Sequence, residues 1–139
     1  MELSALDRLE IIELYSRFSH MFDAGHAAEV GQLFSADGAF VRANGSRVSG
    51  PSEIAKYVSD TAASGISTRH IAAVPIVQPT ANGASGRCYV VTFMRDPDGE
   101  VRTAIGDYHD QLVISDGRWR IRLRRFNLWQ TMGPKLETA

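Results

Sequence analysis

"TRHIAAVPIVQ", residues 68–78, is where the apolar periodicity of the chain changes. Before it, apolar residues recur at helical spacing; from it onward they recur at every second position. "GRCYVVTFMRD" (86–96), "VRTAIGDYHDQLVIS" (101–115) and "RWRIRLRRFNLW" (118–129) continue the period of two. The separators "PTANGAS", "DPDGE" and "DG" are turn chemistry, so four long strands follow one another. On the amino-terminal side, Ser4 with Asp7 three residues on opens a helix. Leu6, Leu9, Ile11, Ile12, Leu14, Phe18, Met21 and Phe22 supply its apolar face, and Gly25 ends it. A short helix is expected around "HAAEVGQLF" (26–34), then a turn at "SADGAF" (35–40). The Asn-Gly of "ANGSRVSG" (43–50) predicts a hairpin between short strands at Phe40–Val41 and Val48. Pro51 and Ser52 start a third helix carrying Ile54, Tyr57 and Val58 on one face.

Helices first and a strand meander later is the α+β pattern: a curved antiparallel sheet packed on amino-terminal helices, enclosing a pocket. The 139 residues form one domain, with no linker or repeat. A net charge of −1 gives no global attraction to nucleic acid or an anionic membrane. No apolar run approaches a membrane span, the amino terminus lacks signal-peptide character, and the lone Cys88 cannot form an internal disulfide. The expected location is cytoplasmic.

Strand parity selects the side chains that face the pocket. In 68–78 the inner face holds His70, Ala72, Val74 and Ile76. In the next strand Cys88, Val90, Thr92 and Met94 compete with the equally apolar Tyr89, Val91 and Phe93. Ala104, Gly106, Tyr108, Asp110 and Leu112 share a face, and Trp119, Ile121, Leu123 and Arg125 another. Arg120, Arg122 and Arg124 then face outward, where Asp107 can pair with them, as a solvated sheet surface or subunit interface rather than a nucleic-acid site. An imidazole on an apolar inner face needs an acid to support its charged form, and Asp23, at the end of the first helix, is the candidate. Taken alone, an Asp before Gly also reads as a turn residue. His20, His26 and His109 make no metal-ligand spacing, and no phosphate loop or nucleophile elbow occurs, so neither metal nor cofactor is expected.

"LYSRFSHMFDAGHAAEVGQLFSADGAFV" (14–41), "TRHIAAV" (68–74) and "GDYHDQLVISDGRWRI" (106–121) resemble the SnoaL-like proteins of the nuclear-transport-factor-2-like superfamily. The similarity runs from about Leu3 to Trp129 and is nearest to the branch with scytalone dehydratase, hexachlorocyclohexane dehydrochlorinase and bile-acid 7α-dehydratase. It implies a cone of curved sheet closed by helices. It also implies an Asp–His pair, here Asp23 and His70, in which the His abstracts a proton while a leaving group departs. The partner groups of the known reactions are not kept: Phe22 stands for a Tyr, Met94 for a second His, Tyr108 for an Asn and Phe18 for a Lys. The remaining candidates for substrate binding are Tyr15, Tyr108, Arg125, Phe22, Met94 and Trp129, with Asp110 read as an Arg125 or Arg69 partner. The expected function is a cofactor-independent lyase or isomerase acting on a small apolar oxygenated molecule. A non-catalytic ligand-binding or assembly module, and a hydrolase that activates water, remain alternatives. Relatives imply a homo-dimer or homo-trimer. The tail "LWQTMGPKLETA" (128–139) is a candidate lid.

Overall fold

The computed structural model describes residues 2–133; the end of the candidate lid, 134–139, lies outside the described residues. The elements are α1 (Ala5–Asp23), α2 (Ala27–Gln32), β1 (Phe34–Val41), β2 (Arg47–Ser49) and α3 (Pro51–Ala63). They are followed by β3 (Ser67–Ala72), β4 (Ile76–Thr80), β5 (Gly83–Arg95), β6 (Val101–Ser115) and β7 (Arg118–Met132). One seven-stranded sheet runs β2-β1-β7-β6-β5-β3, with β4 also on β5. The sheet is antiparallel except where β1 pairs with β7 in parallel.

α1 begins as its cap residues dictate. The Asp7 N–H donates to Ser4 Oγ at 3.0 Å and the Ser4 N–H donates to Asp7 Oδ2 at 2.8 Å. The helix ends at Asp23, followed by Ala24 and by Gly25 at φ +75°, a left-handed turn that glycine adopts without strain. Its buried stripe of Ile11, Leu14, Tyr15, Phe18 and Phe22 lies against the sheet; Leu6 and Leu9 are exposed. Val30, Ile54 and Val58 from α2 and α3, and Val90, Leu112, Trp119 and Ile121 from the sheet, complete the core. The helices thus cover the face of β5 that carries Cys88 and Val90 and leave Tyr89 exposed, which settles the parity of that strand.

Four local departures from the expected pattern shape the interior. "SADGAF" is not a separate turn but part of β1. The turn chemistry survives as an irregularity: Phe34 lies opposite Ile121 and Ala39 opposite Leu123, so five positions of β1 match two of β7. Gly38 sits in this kink against the Ser35 and Ile121 carbonyls, where a Cβ has no room. The run 68–78 is broken as well. β3 ends with Ala72 opposite Val90 and β4 begins with Ile76 opposite Arg87, four positions against three. Pro75, which has no N–H to donate, lies in the break. The phase therefore flips: Val74 and Ile76 are exposed and Val77 is buried.

β7 contains two bulges, one where Ile121 and Leu123 face the adjacent Leu112 and Gln111, the other where Leu128 and Gln130 face Gly106 and Ile105. Arg122 and Trp129 are the extra residues, and each bulge shifts the facing of the later residues by one. Trp119 and Ile121 point inward as expected, but Arg124, Phe126 and Leu128 replace Leu123 and Arg125 on the inner face. Arg124 is 0% exposed, and Arg125 lies on the exposed side. Asp110 consequently pairs with Arg124, not with Arg125 or Arg69: Arg124 Nε donates to Oδ1 at 3.0 Å and Nη2 to Oδ2 at 2.7 Å. Asp107 likewise pairs not with an arginine but with His109, at 2.7 Å.

The guanidinium carbon of Arg124 lies 3.8, 4.5 and 4.7 Å from the ring centroids of Tyr108, Phe18 and Tyr15. Three aromatic faces and a bidentate carboxylate thus replace the hydration of a fully buried cation. Removing one partner leaves the other charge without compensation. Asp110→Ala is expected to lower the unfolding free energy by about 3–5 kcal/mol, as read by urea denaturation. A loss below about 1 kcal/mol would show that the pair is not what holds Arg124 in the core.

Candidate active site

The site begins with an unpaired backbone group. β3 is the edge strand of the sheet beside β5, so alternate N–H groups along it have no strand partner. The His70 N–H is met instead by Asp23 Oδ2 at 2.9 Å. The same carboxylate accepts from the Thr68 hydroxyl at 2.8 Å and lies 2.6 Å from His70 Nδ1, both through Oδ1. α1 thus ends on β3 through one acid. Burial by itself raises the carboxyl pKa, but the hydrogen bonds from the His70 ring, the His70 N–H and Thr68 outweigh it and hold Asp23 below its ordinary value.

An ionised carboxylate only accepts, so Nδ1 is the protonated nitrogen facing Asp23. Nε2 then carries the lone pair. It makes no hydrogen bond among the described residues, it is not sealed from solvent, and the ring lines a cavity of about 290 Å³. The ring is fixed by edge-on contacts with Phe22 and Phe18, at centroid distances of 4.7 and 6.0 Å. Two aromatic neighbours on one side and a carboxylate behind Nδ1 leave the imidazole little rotational freedom.

Phe22, Met94 and Tyr108 line the same cavity. Burial pushes the Tyr108 phenol up against the opposing pull of Arg124, so its hydroxyl stays protonated and is able to donate. Tyr15, Arg125 and Trp129 are not among the lining residues. Tyr15 is buried in the core, with a hydroxyl that packs over Gly86 and has no hydrogen-bond partner. Arg125 and Trp129 face outward because the bulge at Arg122 reverses the alternation before them, Trp129 at 75% exposure. In their place the cavity takes Phe126 and Leu128 from β7, Tyr57 from α3, and two arginines, Arg42 and Arg102. Arg102 was available to parity, since it lies two residues before Ala104 on the inner face of β6. Arg42 follows β1 at the start of the hairpin turn, where periodicity carries no information about direction.

Cys88 offers no rival chemistry. Burial pushes its thiol up to about 11, which keeps it protonated and unreactive at neutral pH. Among the described residues no three His, Cys, Asp or Glu side chains gather as a metal-binding group. None of the described helices is long and apolar enough to cross a membrane.

No curated protein matches the chain in sequence. Among solved structures, Rv3472 of Mycobacterium tuberculosis, a protein of unknown function, is 25% identical with a TM-score of 0.81, covering 90% of this chain and 73% of that one. A scytalone dehydratase candidate from Novosphingobium aromaticivorans superposes with a TM-score of 0.86 at 20% identity, over 96% of this chain and 91% of that one. A nuclear-transport-factor-2-like protein with a cystatin-like fold, from the same organism, gives a TM-score of 0.71 at 24% identity, over 88% and 82%. The fold is therefore the α+β cone of that superfamily. The SnoaL-like domain model matches residues 4–125, and the chain belongs to the SnoaL-like family.

Proposed function

We propose that the protein is a cofactor-independent lyase or isomerase for a small, largely apolar, oxygenated molecule, with His70 as the base and Asp23 as the residue that orients it. The observation that carries this reading is the 2.6 Å contact between Asp23 Oδ1 and His70 Nδ1, on a ring whose other nitrogen is open to the cavity. A ring held only for structure would have both nitrogens satisfied by the protein. A family in which a scytalone dehydratase candidate is a structural neighbour supports the same class of chemistry.

In the proposed reaction, His70 Nε2 takes the proton from a carbon next to a carbonyl. The electron pair of the broken C–H bond moves onto the carbonyl oxygen as an enolate, and the protonated Tyr108 hydroxyl is the donor on the inner face suited to that oxygen. When the enolate collapses, a hydroxyl on the neighbouring carbon leaves with the proton held by His70, as water. Where no leaving group is present, the same proton returns to another carbon and the result is isomerisation. Asp23 stabilises the imidazolium between the two steps. Positioned base catalysis of this kind contributes on the order of 10²–10⁴-fold.

The outer sheet face supports self-association. Ile71, Tyr89 and Phe93 lie together there, Tyr89 at 79% exposure, which suits a homo-dimer or homo-trimer. Sedimentation at micromolar concentration is expected to give a multiple of the chain mass, and a monomer would remove this part of the proposal.

Two further outcomes test the chemistry. A screen of hydroxylated ketones, steroids and aromatic polyketides, read by mass, is expected to show loss of one water for elimination or an unchanged mass with altered retention for isomerisation; gain of water would mean hydration. On the substrate so found, His70→Ala should retain the wild-type circular dichroism and lose about 10²–10⁴-fold in kcat. Full activity in that variant would end the mechanism. Asp23→Asn should lose a similar factor because the amide no longer fixes the tautomer of His70. Its stability carries a separate sign. Because the folded Asp23 carboxyl lies below its ordinary value, its contribution is complete above about pH 4 and is lost as pH falls through the lower folded value. The fall of Tm on acidification below about pH 4 should therefore be shallower in Asp23→Asn than in wild type.

A further inference from the structure

Three threonines line the cavity, and two of their hydroxyls are already engaged. Thr61 Oγ1 donates to the Tyr57 carbonyl within α3 at 2.9 Å, and Thr68 Oγ1 donates to Asp23 at 2.8 Å. The Thr92 hydroxyl makes no hydrogen bond among the described residues and is not sealed from solvent. Its neighbours on the inner face do not call for it. Val90 and Met94 flank it along β5, and Ala104 lies opposite it on β6. None of the three carries a hydrogen-bonding nitrogen or oxygen in its side chain. A valine has the same shape and the same preference for a strand, so packing alone does not require the hydroxyl. The polar side chain beside it is that of His70, opposite on β3.

The hydrogen bonds of β3 decide how close that neighbour is. The His70 N–H points off the sheet to Asp23, while the Ala73 N–H, just past β3, donates to the Tyr89 carbonyl of β5 at 2.9 Å. Odd-numbered residues of this segment therefore bond to β5, and His70 and Thr92 form a pair with no backbone bonds between them. In such a pair the side chains are at their closest, with Cβ atoms about 4.5–5.5 Å apart. The ring is turned to match. Asp23 meets both the His70 N–H and Nδ1, so Nδ1 lies on the free-edge side of β3. The rest of the ring is turned toward β5 and the cavity, on the side where Thr92 stands.

We infer that Thr92 holds the departing hydroxyl of the substrate, beside the imidazole that protonates it. This rests on the reading of His70 as the base. Nε2 takes the proton from carbon, and the electron pair of that C–H bond becomes the new carbon–carbon double bond. The pair of the C–O bond leaves with the oxygen, which receives the proton from Nε2 and departs as water. The Thr92 hydroxyl keeps its own proton throughout and donates a hydrogen bond to that oxygen as negative charge develops on it. One oxygen must meet both groups, and the close His70–Thr92 pair supplies that geometry. An isomerisation has no such oxygen, so Thr92 assigns the site to elimination.

The test uses matched neutral probes on the intact protein: each enantiomer of 3-hydroxy-1-phenylbutan-1-one against 1-phenylbutan-1-one, by calorimetry, with the His70 Hε1 resonance as the reporter of place. One enantiomer of the hydroxy ketone is expected to bind about two- to tenfold more tightly than the plain ketone, the range for a neutral hydrogen bond. Thr92→Val, which keeps the shape and removes the hydroxyl, should abolish that preference, and Thr92→Ser should retain it. A purely structural role would weaken both ketones together and leave the preference in place. On the substrate found by the screen, Thr92→Val should lower kcat about tenfold with a smaller change in KM, and Thr92→Ser should recover most of the loss. Equal affinity of the two ketones in the wild type, no binding of either enantiomer at about 10 mM, binding that leaves His70 Hε1 unshifted, or a preference that survives in Thr92→Val or is lost in Thr92→Ser would each overturn the assignment. The binding readouts are independent of turnover. A preference intact in Thr92→Val removes the hydroxyl subsite and leaves the dyad, whereas a fully active His70→Ala variant removes the base while the preference stands.

Discussion

The site depends on one carboxylate doing three things at once. Asp23 closes the exposed hydrogen-bonding edge of β3 at His70, takes the Thr68 hydroxyl, and faces the imidazole. The first two bonds make the third possible. A carboxylate at a helix carboxyl end is opposed by the helix dipole and, when buried, by desolvation. Without neutral donors it would protonate or turn to solvent. The His70 ring bond and two donors from β3 together keep it ionised, and the β3 donors fix how it faces Nδ1. The orientation of the His70 ring is therefore built into the packing of α1 on the sheet.

A second ion pair lies on the other side of the same aromatic layer, and it differs from the first in being closed. Arg124 and Asp110 are sealed, bidentate, and enclosed by Tyr15, Phe18 and Tyr108. The carboxylate takes Nε and Nη2 of Arg124, while its buried Nη1 has no hydrogen-bond partner among the described residues. Its effect on the site is indirect: it fixes Tyr108, whose ring stacks on the guanidinium while its edge lines the cavity. Phe18 bridges the two pairs, with its ring 4.5 Å from the Arg124 guanidinium carbon and 6.0 Å from the His70 ring. Phe18 makes this junction apolar, and His70 is the histidine that lines the cavity among the described residues.

The amino-acid pattern made legible the features that depend on short-range order. The Ser4–Asp7 cap, the Asn-Gly hairpin, the Pro51 helix start and the pairing geometry of β5 and β6 come from residues three or four apart or from alternation. The juxtaposition of Asp23 and His70 was legible because it joins a helix end to a strand whose inner parity was readable near its start. Phase was the feature that failed. One added residue in a strand reverses every later side chain without changing composition, and the chain does this at Pro75, Arg122 and Trp129. Arg124 and Arg125 are neighbours of the same type, so nothing local distinguishes the buried cation from the exposed one. Their places are decided by Asp110, fourteen residues away on another strand.

These phase reversals also decide which side chains of β7 wall the cavity. The bulge at Arg122 delivers Arg124 to the core and thereby turns Phe126 and Leu128, two and four residues on, toward the cavity as apolar wall. Without the bulge, the alternation would have carried Arg125 inward in place of Arg124, opposite Tyr108 and out of register with Asp110. A cation opposes protonation of an imidazole close to it. Among the described residues the guanidiniums in the cavity wall are those of Arg42 and Arg102, and Arg102 lies one inward-facing row along the sheet from His70. Distance matters more here than count: at an effective dielectric of about 20, a unit charge at about 4 Å acts with about 4 kcal/mol, and at about 10 Å with less than half of that.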